Sequence, residues 1–368
     1  MSAERIYELA LCEVPHIGYV HAKILNDHFG SAEAIFRASQ QQLERIEGIG
    51  EVRAKSIRKF SDFSKAEAEL LFAEKYGIKI LYLSEPLYPQ RLLNCYDPPT
   101  LLFYKGSISL NKSRMVAVVG TRNNTEYGKS FTEKLIKKLA PYDCVIVSGL
   151  AFGIDAIAHK CALKYEIPTV GVVGHGLDTI YPQEHAGLAR QMLKNGGLLT
   201  EFRSNTKPDK HNFPSRNRVV AGLTDATIIV ESGIKGGSMI TAELANDYHR
   251  DVFAVPGRST DIKSGGCNDL IKRNKAMLLT DPEQFIEIMG WDDVKTAPKP
   301  VQPMLFTNLS AQEKVIVELL SRDQVLSVDE LNFRSGMSIS SLAASLLSLE
   351  LSGILKAMPG KRYTLIER

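Results

Sequence analysis

The stretch VAVVGTRNNTEYGKS, residues 116–130, reads as a buried strand, a glycine loop and the opening of a helix. Four consecutive apolar residues before the glycine suit a strand covered on both faces, the kind found in parallel sheets. Strand–loop–helix is the unit from which α/β folds are built. Loops of this kind commonly hold a phosphate on backbone N–H groups at the helix N-terminus. This one is Gly120-Thr121-Arg122, however, and has neither the G-x-G-x-x-G nor the G-x-x-x-x-G-K-[ST] spacing.

Working outward, the same alternation continues from about 78 to 290. The runs CVIVSG, TVGVVG, GGLLTE, ATIIVE and DVFAVP are short, rich in valine and isoleucine, and separated by amphipathic stretches. The fold class expected is α/β, with a parallel sheet core over residues 76–292. Residues 1–75 show helical spacing with no strand-like alternation, and are expected to form a small all-α domain. Within it, PHIGYVHAKIL at 15–25 and EGIGEVRAKSI at 47–57 are similar to each other, and the second resembles a helix-hairpin-helix turn. Such a turn either aims backbone N–H groups at a DNA phosphate or packs a helical bundle with glycine C-caps. The first copy carries His16 where the second has Gly48. Residues 293–308, with three prolines in VKTAPKPVQPM, read as a linker. Three helices and a hairpin over 309–368 predict a winged helix, whose third helix offers serine rather than Arg, Asn or Gln. Protein contact and DNA reading both remain open for it.

Composition bounds the chemistry. At 368 residues, with 44% hydrophobic and 24% charged residues, the chain has the make-up of a globular protein of two or three domains. Five scattered cysteines without a C-x-x-C pair argue against a disulfide framework and a cysteine-rich zinc site. With no signal-peptide pattern and no apolar run of membrane-spanning length, a cytoplasmic location is expected.

A net charge of +3 hides a local basic stripe, FRSNTKPDKHNFPSRNRVVAGL at 202–223, with Arg203, Lys207, Lys210, Arg216 and Arg218 against the single acid Asp209. Guanidinium forks suit phosphate oxygens, and Phe213 could stack on a base. The competing reading is a solvated face with a structural bridge to Glu201 or Glu231. Glycine-rich junctions at VGTRNNTEYG, SGLAFGIDAIAH, GHGLDTIYP and ESGIKGGSMITAEL line one sheet edge, and Gly236-Gly237-Ser238 makes the best anion nest among them. NAD is disfavoured because Ser148 and Gly149 stand where an acid should end the second strand. ATP hydrolysis is disfavoured because no Walker lysine follows a glycine loop. Asp155 and His159, four apart, read as a structural pair on one helix face. His175, His185 and His211 have no evident partners, and no nucleophile elbow, metal-ligand spacing or cofactor motif appears.

Six motifs in fixed order (VAVVGTR, SGLAFGIDAIAH, GVVGHGLDTIYP, FPSRNRVVAGL, GGSMITAELA and VFAVPG) closely resemble the DNA processing protein A family, also called Smf. DPPTLLFYKG before them and GGCNDLIKRNKA after them fit the same resemblance. It implies an extended Rossmann-like domain over the parallel sheet core, in a non-catalytic protein that binds single-stranded DNA, protects incoming strands in natural transformation, helps displace single-strand-binding protein and loads RecA recombinase, typically as a homodimer through that domain. It also implies a pocket of Gly120, Thr121 and Arg122, with Arg216, Asn217 and Arg218 of the RNR motif and Gly236, Gly237 and Ser238. Lys210 and Lys272 are implied as further backbone contacts. Two departures stand out: Gly236 where the family often has serine, and His249 where glycine often precedes Arg250. More remotely, RNRVVAGLTDATIIVESGIKGGSMITAE resembles the lysine-decarboxylase-like nucleotide phosphoribohydrolases. Gly236, Gly237 and Glu243 fit their loop, whereas Lys235, Met239 and Ile240 do not.

Overall fold

A computed structural model describes residues 3–291, 309–358 and 360–366, so the expected linker at 293–308 lies outside the described residues. Contacts group the chain into Met1–Leu278 and Leu279–Arg368.

The first unit opens with helices α1 (Ala3–Leu11), α2 (Tyr19–Phe29), α3 (Ala32–Arg37), α4 (Gln40–Glu44), α5 (Gly50–Lys59) and α6 (Ser64–Tyr76). The turns before α2 and α5 are the two similar segments. Gly48 has φ 86° and His16 φ 66°, so histidine takes the left-handed backbone that glycine takes in the second copy. Arg53 ties the two together, donating from Nε to the His16 carbonyl and from Nη1 to the Gly48 carbonyl, both at 3.2 Å. The apolar face of these helices, including Leu9, Leu25, Ile35 and Ile57, packs in one cluster with Ile80, Tyr82, Leu101 and Phe103. The helical region thus completes its core on the strands that follow it.

Those strands begin a nine-stranded sheet: β1 (Lys79–Tyr82), β2 (Leu101–Gly106), β3 (Met115–Val119), β4 (Val145–Ser148), β5 (Thr169–Val172), β6 (Gly196–Thr200), β7 (Ala226–Ile229), β8 (Asp251–Ala254) and β9 (Met277–Leu278). Their spatial order is β1-β2-β6-β5-β4-β3-β7-β8-β9. From β6 to β9 every neighbouring pair is parallel, while β1–β2 and β2–β6 are antiparallel. An antiparallel edge on a parallel core is the one departure from the all-parallel expectation. Helices α7 (Gln90–Leu93), α8 (Glu126–Leu139), α9 (Ile154–Lys164), α10 (Ala186–Met192), α11 (Asn212–Leu223), α12 (Gly237–Asp247) and α13 (Gly265–Lys272) complete this unit.

The order positions the site. Successive strands β3 to β6 step one way, whereas β7 pairs on the other flank of β3, with Val119 beside Ile229. Helices leaving β3 and β7 therefore depart to opposite sides and open a crevice at the strand C-termini, the place where open α/β sheets bind ligands.

The second unit holds α14 (Pro282–Ile288) and, beyond the undescribed segment, α15 (Ala311–Asp323), β10 (Val325–Ser327), α16 (Val328–Ser335), α17 (Ile339–Leu351), β11 (Leu355–Met358) and β12 (Arg362–Leu365). The three strands pair in the order β10-β12-β11, and Ile316, Leu320, Leu331, Leu346 and Leu349 form the core of this winged helix. Capping boxes at Ser310 and Ser327 start α15 and α16. The surface of α17 differs from the serine-dominated expectation, because Ile339, Leu347 and Leu351 are exposed along it as well.

Candidate nucleic-acid interface

The crevice holds a cavity of about 330 Å³ whose lining includes Gly120, Thr121, Arg122, Phe213, Arg216, Asn217, Gly236, Gly237 and Ser238. Nine of the twelve residues singled out from sequence thus come together, from three segments far apart in the chain: the loop after β3, the first turns of α11 and the start of α12.

Their chemistry is divided differently from expectation. The loop after β3 spends its own donors internally. Thr121 N–H donates to the Glu231 carbonyl at 2.7 Å and Thr125 N–H to the Glu231 carboxylate at 2.9 Å. The Thr125 hydroxyl donates to the same carboxylate, and its oxygen accepts from Gly128 N–H to cap α8. Glu231 is 2% exposed, so the N-terminus of α8 already holds an anion, one from the protein itself. The head of α12 is differently placed. Gly237 and Ser238 begin that helix, where N–H groups have no intrahelical partner, and both line the cavity.

Two guanidinium groups supply charge. Arg122 is exposed, with its Cζ 5.3 Å from the Phe213 ring centre. Arg216 is buried and donates from Nη1 to the Val172 carbonyl at 2.8 Å, while its Nε has no partner. Gly149 makes room for it, since a Cβ there would lie 1.7 Å from Arg216 Nη1. Burial pushes the Arg216 pKa down, an effect opposed by Asp155 and reinforced by the charge of Arg122. Asp155 also lines the cavity, accepting from the N–H groups of Gly149 and Ala151 at 3.2 and 3.3 Å; burial pushes its pKa up and Arg216 opposes that.

The expected Asp155–His159 pair does not form. His159 Nδ1 lies 2.7 Å from the Thr169 hydroxyl, which itself donates to the Ile146 carbonyl, so the imidazole is the donor and the two residues serve different strands. His175 and His185 find backbone partners, Nδ1 of His175 reaching the Gly176 carbonyl beside it and Nδ1 of His185 the Leu150 carbonyl in the loop after β4.

Three candidates lie outside the cavity. Arg218 is buried on the other side of α11, where it pairs with Glu201, donates to the Asp97 carbonyl and stacks 3.9 Å over the Tyr19 ring centre. The structural Arg–Glu bridge considered from sequence is therefore present at this arginine. Lys210 is exposed just before α11, and Lys272 is exposed at the end of α13. Arg203, from the same basic stripe, pairs with Glu13. Sequence reasoning passed over Gly149, Ala151, Asp155, Ser232, Gly233 and Thr241 as lining residues. The signal for three of them, Gly149, Ala151 and Asp155, is the SGLAFGID loop at the end of a strand.

Both departures from the family pattern have a local geometry. A Cβ at Gly236 would lie 2.4 Å from Ser232 Oγ, whose hydroxyl oxygen accepts from Ser238 at 2.8 Å. At His249 φ is 57°, and Arg250 N–H and His249 N–H donate to the Ala245 and Asn246 carbonyls. That pattern is a Schellman ending of α12, with histidine in the left-handed position that glycine favours.

Fold and cavity together define a Rossmann-like protein with a basic cleft at its switch point. The family model for DNA recombination-mediator protein A matches residues 79–290, a helix-hairpin-helix motif matches 9–69, and the DprA winged helix domain matches 298–361. Protein Smf of Synechocystis sp. is 31% identical over 397 residues, covering 98% of this chain and 99% of that one. The crystal structure of DNA processing protein A from Streptococcus pneumoniae superposes with TM-score 0.66 at 32% identity, covering 78% of this chain and 98% of that chain. The Helicobacter pylori protein, whose structure was described for its single-stranded DNA binding mode, gives 0.53 at 33% identity over 58% and 96%. The chain belongs to the DNA recombination-mediator protein A (DprA/Smf) family.

Proposed function

We propose that the cleft binds the backbone of single-stranded DNA, and that through it this protein shields strands from degradation and loads RecA recombinase onto them in the cytoplasm, without cutting them. One observation carries this reading. Arg216 is a buried guanidinium with an unpartnered Nε beside a second arginine, and Asp155 is the one carboxylate among the described lining residues. Guanidinium groups at a cleft with so little opposing negative charge suit the oxygens of a phosphate. The single-strand binding described for the Helicobacter pylori relative supports the choice of polyanion.

The phosphoribohydrolase alternative needs its glutamate at the cleft. Here Glu243 is ion-paired with Lys275 Nζ at 2.5 Å and is not among the lining residues. Pairing of two copies is proposed through the sheet edge at β9, where Met277 and Leu278 are 36% and 49% exposed on an edge strand. For the winged helix, exposed Ile339, Leu347 and Leu351 with no basic residue in α17 favour protein contact over DNA reading.

The test is titration of wild type and Arg122→Ala with fluorescent oligo-dT at several salt concentrations, with duplex as control. Single strand should bind more tightly than duplex, and the log–log salt slope should be about −0.7 per phosphate neutralised, flattening by about that amount in the variant. An unchanged slope would move the site elsewhere. RecA loading is tested separately, by RecA strand exchange on strands pre-coated with single-strand-binding protein.

A further inference from the structure

Beside the main cleft lies a second, smaller hollow that shares Arg122, Gly149, Ala151, Phe213 and Arg216 with it and adds Phe152, Tyr181 and Pro182. Phe152 and Tyr181 are 44% and 47% exposed. Neither ring is loosely hung. Phe152 packs edge-on against His185 with ring centres 4.8 Å apart, and His185 is itself buried and bonded to the Leu150 carbonyl. Tyr181 donates its N–H to Nε2 of buried His175 at 3.2 Å, and its ring centre is 6.3 Å from that of Phe213 at a shallow 36°. The hollow is about 30 Å³, room for one water, so a flat ligand would lie on the rings rather than enter it.

We infer that Phe152 and Tyr181 form a stacking shelf for a nucleobase of the strand whose phosphate is held by Arg122 and Arg216. This rests on the single-strand reading of the cleft. Held aromatic faces next to guanidinium groups match the alternation of base and phosphate along a single strand. Every base presents a π-face, so the shelf is tolerant of sequence. It extends the site past Phe213 towards the loops after β4 and β5, and adds affinity that does not depend on salt.

The experiment titrates full-length wild type, Tyr181→Ala, Tyr181→Phe, Phe152→Ala and Arg122→Ala with oligo-dT and with an oligonucleotide of equal length whose central nucleotides are abasic. Each alanine change at the shelf should weaken oligo-dT binding about tenfold, leave the salt slope unchanged and leave binding of the abasic strand as in wild type. Tyr181→Phe should bind as wild type. Equal losses on both strands, or no loss while Arg122→Ala weakens binding, would overturn the shelf and leave the cleft standing. No effect of Arg122→Ala would overturn both. Should the alanine variants fail to fold, photocrosslinking of wild type to an oligonucleotide carrying 5-iodouracil decides: adducts on Tyr181 or Phe152 support the shelf, and adducts confined to other residues overturn it.

Discussion

Arg216 and Arg218 stand two residues apart on α11 and serve opposite sides of it: Arg216 lines the cleft, while Arg218 is sealed against Glu201 and the Tyr19 ring. Two residues rotate a helix by about 200°, so an R-x-R pair cannot place both side chains on one ligand. One arginine of the motif is offered to the cleft, and the other joins the sheet to the start of α2.

The two should therefore separate in experiment. Arg218→Ala leaves Glu201, whose side chain is 2% exposed, as an uncompensated buried charge. A loss of about 3 kcal/mol is expected, read as a lower denaturant midpoint, with single-strand affinity changed less than twofold. Arg216→Met, which keeps the volume and removes the charge, should lower affinity at least tenfold at moderate salt. Similar binding losses from both would contradict the division.

Gly149→Ala tests the fit around Arg216. Its Cβ would lie 1.7 Å from Arg216 Nη1, so the guanidinium must leave its bond to the Val172 carbonyl. Single-strand affinity is expected to fall nearly as far as in Arg216→Met. Wild-type affinity in a folded Gly149→Ala protein would show that Arg216 does not need this position.

His159 gives a dependence on pH. Burial lowers its pKa to about 3, and Nε2 is buried without a partner. The folded state thus binds the proton less tightly than the unfolded chain, with its ordinary value near 6.5. Stability from this group is full above about pH 6.5 and declines as pH falls. By pH 5 the loss is about 2 kcal/mol. His159→Asn keeps an amide donor for Thr169 and cannot titrate. Between pH 7.5 and 5, wild type should lose about 2 kcal/mol more than this variant by urea unfolding; parallel curves would refute the assignment.

His249→Gly should stabilise. The residue is exposed at φ 57°, so glycine relieves left-handed strain without removing buried contacts. A gain of about 0.5–1 kcal/mol is expected, seen as a rise in Tm. A fall would mean that the imidazole makes a compensating contact.

Much of the cleft was legible in sequence because its parts are local. A β-branched run ending in glycine and followed by a helix start places a loop at a strand C-terminus whatever surrounds it, and GTR, SGLA and GGS each did so. The same locality explains the winged helix, whose Ser-x-x-Glu caps at Ser310–Glu313 and Ser327–Glu330 mark helix starts within four residues. The pairing of Asp155 with His159 was misjudged for the converse reason. Spacing on a helix brings two side chains to one face, but Gly149 and Ala151 on one side and Thr169 on the other offered each a closer partner.

By itself the sequence determined which segments are strands, which loops meet at the sheet edge, and that arginine and glycine gather there. Those are consequences of short-range sterics and periodicity. Only the tertiary structure decided how the charges are used. That Glu231 fills the head of α8, that Arg218 turns inward, and that Arg216 lines the cleft while bonded to the Val172 carbonyl all depend on residues tens to hundreds of positions away. A buried charge takes its role from whatever packing brings within a few ångströms of it, and no local pattern along the chain carries that information.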